Sequence, residues 1–333
     1  MIAHRVLAVG AALVGAATSA CGSQSTAGPQ TPAQLLSSSE LAFQKLHSFH
    51  VTGGFIVNSA GFYMAASVLH NGDATGSLTL LGETTNFVVA NDASYFDTLN
   101  PFVTEGFGDA MLYLSGHLKG KHWWQIAPQG NLNTSLSLLR IDTDVAKFFT
   151  GRAHLTEKNG KDSRQRAAIK LSDGSINLFV ATASPHQVLE ISTAPHYLSD
   201  NLSQVDLVFD AFNATVNVVA PSGSVSPTPE GLPAFFILDS VEFHGDCNSV
   251  GCPVKADVSS EAGSGNASVH FTVSDANSRL LGACNATASV TVVSGMGTAT
   301  CRASGAGWTR FYYGAGGTYS LHATIDNPAY TSD

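Results

Sequence analysis

Residues 49–97, FHVTGGFIVNSAGFYMAASVLHNGDATGSLTLLGETTNFVVANDASYFD, are a series of short apolar–polar alternations cut by two-residue turn signals. Phe49–Val57, Phe62–His70, Ala74–Leu81, Thr84–Ala90 and Ala93–Asp97 each read as a strand, because a period of two puts alternate side chains on one face. Asn71-Gly72, Gly82-Glu83 and Asn91-Asp92 separate them. Links this short join only antiparallel neighbours, so the segment is a meander with one apolar face.

Working outward, Thr31 reads as an N-cap, with Pro32 at the first helical position and Gln34 completing a capping box. Leu35, Leu36, Ser39, Ala42, Phe43 and Leu46 then share one helical face. Downstream, residues 98–121 are Gly-punctuated and read as irregular. A strand follows at His122–Ile126, and a second helix at Leu136–Phe149 with Leu138, Leu139, Val145, Phe148 and Phe149 as its apolar set. Strands resume at Ala153–Lys158, Arg164–Leu171, Ile176–Thr182, Gln187–Ser192 and Gln204–Phe209, with Asn159-Gly160 and Asp173-Gly174 as turns. Two amphipathic helices are little cover for about ten strands, so an apolar gap between sheet and helices is expected. Alternation proposes its lining: Val51, Phe55, Val57, Phe87, Val89, Tyr95, Phe96, Trp123, Ile126, Leu178, Val180, Leu189, Ile191, Leu207 and Phe209. The same residues also suit a dry core packed against Leu36, Phe43, Phe148 and Phe149.

Residues 222–232 carry the Pro/Ser/Gly composition of a linker, and residues 233–333 are of domain size. That last part shows about seven strand-like runs and no helix signal. Among them are Phe235–Phe243, Ala267–Val273, Ala288–Val293, Arg310–Tyr313 and Tyr319–Ile325. Such spacing suggests an immunoglobulin-like sandwich, without the Cys…Trp…Cys framework of antibody domains. The expected class is therefore α+β followed by an all-β unit.

The chain starts with His4-Arg5, an apolar run from Val6 to Ala17, and Thr18-Ser19-Ala20-Cys21 before a polar stretch. This is the pattern of a secretory signal over 1–20, and its exit resembles a bacterial lipobox with Thr18 where Leu is usual. The resemblance implies that Cys21 becomes the first mature residue and carries a diacylglyceryl anchor, with 21–30 as a flexible tether. The expected place is the extracytoplasmic side of the cell membrane. Cys247, Cys252, Cys284 and Cys301 remain, an even set in an exported chain. Three pairings are possible; Cys247–Cys252 across a short loop and Cys284–Cys301 flanking a hairpin are favoured. Zinc spacing is absent.

A net charge of −9 speaks against a nucleic-acid partner. Ten of the 16 basic residues fall within 119–170, an island that suits either anionic headgroups or a solvated sheet face. The sequence has no H-E-x-x-H, no G-x-S-x-G and no phosphate-binding glycine loop, so neither a metal, a cofactor nor an enzymatic reaction is expected. His117-x4-His122 beside Trp123-Trp124 reads as a cavity mouth or a half-exposed aromatic edge.

The order of these parts resembles the LppX/LprG-type lipoproteins, relatives of the LolA lipoprotein carrier. The resemblance is carried by AFQKLHSFHVTGGF (42–55), ASYFDTLN (93–100), HWWQI (122–126), LRIDTDVAKFF (139–149) and the closing strands of 171–221. It covers residues 31–221. It implies a strongly curved antiparallel half-barrel covered by helices, with acyl chains of a lipid or glycolipid held between them. The C-terminal unit lies outside that pattern and is the expected contact for another envelope protein. The rival reading is a surface adhesion or scaffold module without lipid cargo.

Overall fold

The computed structural model describes residues 30–100, 103–105, 107–139, 154–194, 202–292, 295–314 and 316–331. Cys21 and its surroundings lie outside the described residues, as do Val145, Phe148 and Phe149 of the expected second helix.

Helix α1 (Pro32–Gln44) starts where the sequence places it. The Thr31 hydroxyl accepts from the Gln34 N–H, and Gln34 Oε1 accepts from the Thr31 N–H at 2.9 Å. The meander follows as β1 (Ser48–Val57), β2 (Ala60–Leu69), β3 (Ala74–Leu80), β4 (Glu83–Ala90) and β5 (Ala93–Phe96). Helix α2 (Asp109–His117) then replaces the irregular stretch expected at 98–121. Next come β6 (Trp124–Ile126) and α3 (Gly130–Ser137), a helix the sequence reading did not expect, while residues 140–149 of the helix expected over 136–149 lie outside the described residues. Strands β7 (Thr156–Lys161), β8 (Ala167–Ser172), β9 (Ile176–Ala181), β10 (Val188–Thr193) and β11 (Leu202–Asp210) complete the unit. Asn159-Gly160, expected as a turn, lies inside β7 and pairs with Ile169 and Ala168 of β8.

These strands form one antiparallel sheet of eleven, in the order β6-β5-β4-β3-β2-β1-β11-β10-β9-β8-β7. The strands nearest the start and end of this unit meet at its centre, where Val51 stands opposite Ala66 on β2 and Phe209 on β11. Strands β6 and β7 are the two ends, so the sheet is open. An open twisted sheet of this size curls rather than staying flat. Backbone crowding marks the curl: a Cβ on Gly53 would stand 1.9 Å from the Asp206 carbonyl oxygen, and one on Gly76 2.2 Å from that of Ala65. The unit is α+β, an open half-barrel with helices against its apolar face.

The last strand leads into a strap across the other face. Val218 and Ala220 pack on Val88, Ala90 and Tyr95, and Val225 then bonds to edge strand β6 in parallel register. Its N–H donates to the Trp123 carbonyl at 2.8 Å and its carbonyl accepts from Gln125 at 2.9 Å. The backbone groups of that edge are thereby satisfied. The other edge, β7, is exposed along its length and guarded by Lys158 and Lys161.

Beyond the strap, β12 (Phe235–Phe243), β13 (Cys252–Ala262) and β16 (Met296–Ala303) form one three-stranded sheet. Strands β14 (Gly265–Asp275), β15 (Leu280–Val290) and β17 (Tyr319–Ile325) form a second. Alternate residues of both, such as Val254, Val258, Val269 and Phe271, meet in one core. Cys247 pairs with Cys252 and Cys284 with Cys301. The second bridge joins β15 to β16, which belong to different sheets, so it ties the two layers together rather than flanking a hairpin. Arg310–Tyr313, expected as a strand, belongs to helix α4 (Ala306–Tyr313), where Trp308 is buried and its indole N–H donates to the Asn248 carbonyl at 2.7 Å.

Candidate functional site

The helices meet the sheet in a single apolar interior. Leu35, Phe43 and Leu46 from the α1 region descend on the sheet centre, where Phe43, Phe49 and Phe209 form a three-ring cluster with centroids 5.1–5.9 Å apart. Phe55 and Phe62 stack at 5.4 Å on neighbouring strands. Leu114 of α2 and Leu132 and Leu136 of α3 add the rest of the cover. Aromatic pairs in offset or edge-on contact stabilise such an interior beyond simple burial, by about 0.5–1.5 kcal/mol each.

Of the expected lining, Val51, Phe55, Val57, Phe87, Phe96 and Ile126 lie in this interior from the first half of the sheet. Leu178, Val180, Ile191, Leu207 and Phe209 join them from the second half, and Val89 packs at the margin. Three others face elsewhere. Tyr95 and Trp123 sit on the opposite face, under the strap with Val88 and Ala90. Phe96 points inward, so its neighbour Tyr95 must point out. Leu189 is buried outside the shared interior, beside the register shift between Val188 and Glu190. An irregular strand breaks the period of two that would have turned it inward.

A surface cleft of about 300 Å³ lies between α3 and the facing ends of β4 and β5. It is lined by Val89, Ser94, Pro128, Asn133, Leu136 and Leu139. Its walls mix Val89, Pro128, Leu136 and Leu139 with the polar Ser94, Asn133 and Ser137, and among the described residues no charged side chain other than Asp92 borders it. On α2 the Ser115 hydroxyl is buried without a hydrogen-bond partner among the described residues. A buried hydroxyl in that state destabilises by about 1–3 kcal/mol.

The outer face around β1 and β11 is charged instead. Asp162 is wholly buried and pairs with Arg166, whose guanidinium also donates to the Phe209 and Leu189 carbonyls at 2.8 and 2.9 Å. Arg164 pairs with Asp210 and donates to Thr52. Burial, and then the Arg164 charge, push the His50 pKa down. Burial, and then the Glu190 charge, push that of Asp206 up. Two arginines of the basic island are thus consumed in ion pairs that fasten the β7–β8 turn across β10, β11 and β1.

Among the described residues no three His, Cys, Asp or Glu side chains come together as a metal site requires. None of the described helices is long and apolar enough to cross a membrane. His117 and His122 do not converge on a mouth. The His117 ring lies tilted against Tyr113 with centroids 4.1 Å apart, while His122 bonds to the Lys119 carbonyl and lies edge-on to Trp124. The sequence reading missed α2. Its signal is Met111, Leu114 and Leu118 at helical spacing after an acidic first residue, and it is easily masked by the glycines around it.

No protein-family model matches the chain, and no curated protein matches it either. Solved structures with partial likeness include LprF from Mycobacterium bovis, 15% identical at a TM-score of 0.40, covering 58% of this chain and 97% of that one. An uncharacterized conserved protein from Thermus thermophilus is 12% identical at 0.28, covering 59% and 99%. MucB is 10% identical at 0.27, covering 85% and 95%. With overlaps this slight, the sheet order and the burial pattern remain the ground for the fold.

Proposed function

We propose that this chain is an exported lipoprotein that holds a lipid or glycolipid inside a LolA-like half-barrel, for transport or presentation in the cell envelope. The observation that carries it is the continuous apolar interior beneath the described helices, with a surface cleft beside α3 at its margin. Acyl chains need no directional partners; each CH₂ moved from water into such an interior stabilises the complex by about 0.8 kcal/mol. In this reading Cys21 carries the diacylglyceryl anchor on the extracytoplasmic face, and the protein binds without catalysing a reaction. The C-terminal sandwich, immunoglobulin-like in its two-layer plan, presents a surface to an envelope protein.

The rival, a scaffold module with no cargo, draws support from the close packing of the same interior. The cleft distinguishes the two. Val89→Trp fills it and Asn133→Arg charges it from an exposed position, and neither residue is at the sheet centre. With the chain from Gly22 onward and vesicles holding a fluorescent phosphatidylcholine, the cargo reading expects uptake by the unaltered protein and its loss in both variants at unchanged thermal midpoint. No uptake by the unaltered protein favours the scaffold.

A further inference from the structure

One end of the C-terminal sandwich carries a connected set of aromatic rings. Phe243 closes β12, Tyr319 opens β17, and α4 adds Trp308, Phe311, Tyr312 and Tyr313. Tyr319 meets Phe243 at 5.3 Å, Trp308 at 5.4 Å and Phe311 at 6.0 Å, and Trp308 meets Tyr312 at 6.3 Å. Trp308 plugs the core, whereas Tyr313 is 73% exposed and stands edge-on to Tyr312 at 5.5 Å. Tyr312 and Tyr319 are exposed too, as are Val250 in the Cys247–Cys252 loop and Leu280 at the start of β15. Both aliphatic residues belong to segments that touch α4. Asn248 of the loop accepts from Trp308, and a Cβ on Gly307 would stand 2.8 Å from the Leu280 carbonyl oxygen. Apolar surface gathered in this way marks a contact with another body.

The free basic charge of the sandwich lies in the same segments. Residues 233–333 hold four basic side chains, and Lys255 is taken up by Asp257 at 3.0 Å and Glu242 at 3.6 Å. The other three are Arg279, next to Leu280, Arg302 and Arg310. Arg302 donates to the Gly251 carbonyl at 3.0 Å and to Asn248 Oδ1 at 3.3 Å, which places it on the disulfide loop. Arg310, on α4, donates to the Ala306 carbonyl at 3.3 Å. These acceptors are neutral and leave the guanidinium charges uncompensated. Among the described residues none of the three arginines is in an ion pair. Two acids share these segments: Asp246, exposed beside Cys247, and Asp275, whose Oδ1 accepts the Asn277 and Arg279 N–H groups at 2.9 Å. Arginine is thus in excess here, on a chain whose net charge is −9.

A cleft beside Tyr319 and Asp275 holds only about 130 Å³. Sites that enclose a ligand start at roughly 300 Å³. The patch therefore suits a broad, yielding surface better than an inserted segment. Tyr rings settle at the headgroup level of a bilayer, where the apolar body and the hydroxyl are both accommodated. Arginine pairs with phosphate through two parallel N–H groups, and anionic lipid attracts each base near the surface.

We propose that the α4 end of the sandwich docks on an anionic bilayer, with Tyr312, Tyr313 and Val250 at the headgroup level and Arg279, Arg302 and Arg310 on lipid phosphates. The proposal concerns the sandwich and stands whether or not the half-barrel carries a lipid.

The test is co-sedimentation of the chain from Gly22 onward with vesicles of phosphatidylglycerol and phosphatidylcholine in equal parts, and with vesicles of phosphatidylcholine alone. Binding to the mixed vesicles is expected, and binding to phosphatidylcholine alone should be weaker by about ten-fold or more. Arg279→Gln, Arg310→Gln and Tyr313→Ser should each weaken it by about five-fold. All three positions are exposed, so the thermal midpoint should not move. Lys158→Gln and Lys161→Gln, on the exposed edge β7, should leave binding unchanged. The proposal is overturned if the mixed vesicles bind nothing, which would leave the patch to a protein partner. It is equally overturned if the three variants at the α4 end bind undiminished, or if the β7 lysine variants lose binding instead.

Discussion

At the scale of single residues, stability concentrates where a buried charge meets its partners. Asp162 has no exposed side-chain surface, and Arg166 is its ion-pair partner. Removing one member of a buried pair leaves the other uncompensated. Arg166→Ala should therefore destabilise by about 3 kcal/mol, read as a lower urea midpoint at constant slope. A shift under a few tenths of a kcal/mol would mean that water already screens the pair. His50 adds a pH dependence of known sign. Burial and Arg164 lower its folded pKa below the unfolded value of 6.5. Its neutral form is thus the one that fits, and its contribution is full above that value and declines as pH falls. His50→Gln should flatten the stability profile between about pH 7 and 5; an unchanged slope would assign the acid sensitivity to other groups.

At the scale of elements, the half-barrel depends on close backbone approach. A Cβ at Gly53 would collide with the Asp206 carbonyl across the β1–β11 seam. Gly53→Ala should therefore destabilise by roughly 2 kcal/mol or more by forcing that seam apart, with amide exchange rising first in β1 and β11. At this scale the sequence is most legible where local signals agree. The capping box of α1 and the turns Asn71-Gly72 and Asn91-Asp92 combine backbone preference with apolar period, and those elements stand within a few residues of their expected positions. It is least legible where propensity and position conflict. Phe311-Tyr312-Tyr313 favours strands by residue type, yet Trp308, Phe311 and Tyr312 share a helical face packed on the sandwich. Tyr95 and Trp123 are apolar enough for either face. What buries them outside is the strap of residues 218–225, a non-local element that no periodicity announces. The cleft beside α3 is equally hidden, since it depends on where a short helix stops over distant strands.

At the scale of the whole molecule, the composition of residues 222–232 suggests a loose link, but packing overrides it. Leu232 and Ala262 are buried in the same interior as the half-barrel, as is Tyr330, whose ring lies edge-on to Phe235 at 5.0 Å. Two units that share a core unfold together. A single thermal transition is expected for the unaltered chain. Tyr330→Ala should lower stability by about 3 kcal/mol and split that transition in two; one unchanged transition would show that the shared contacts contribute little.

The central claim is that the half-barrel holds lipid, and native mass spectrometry of the chain from Gly22 onward, purified from its own host, tests it most directly. The account predicts an adduct of lipid mass that organic solvent releases. A clean apo mass, with no uptake of added phospholipid or triacylglycerol, would contradict it and leave the interior as a packed core.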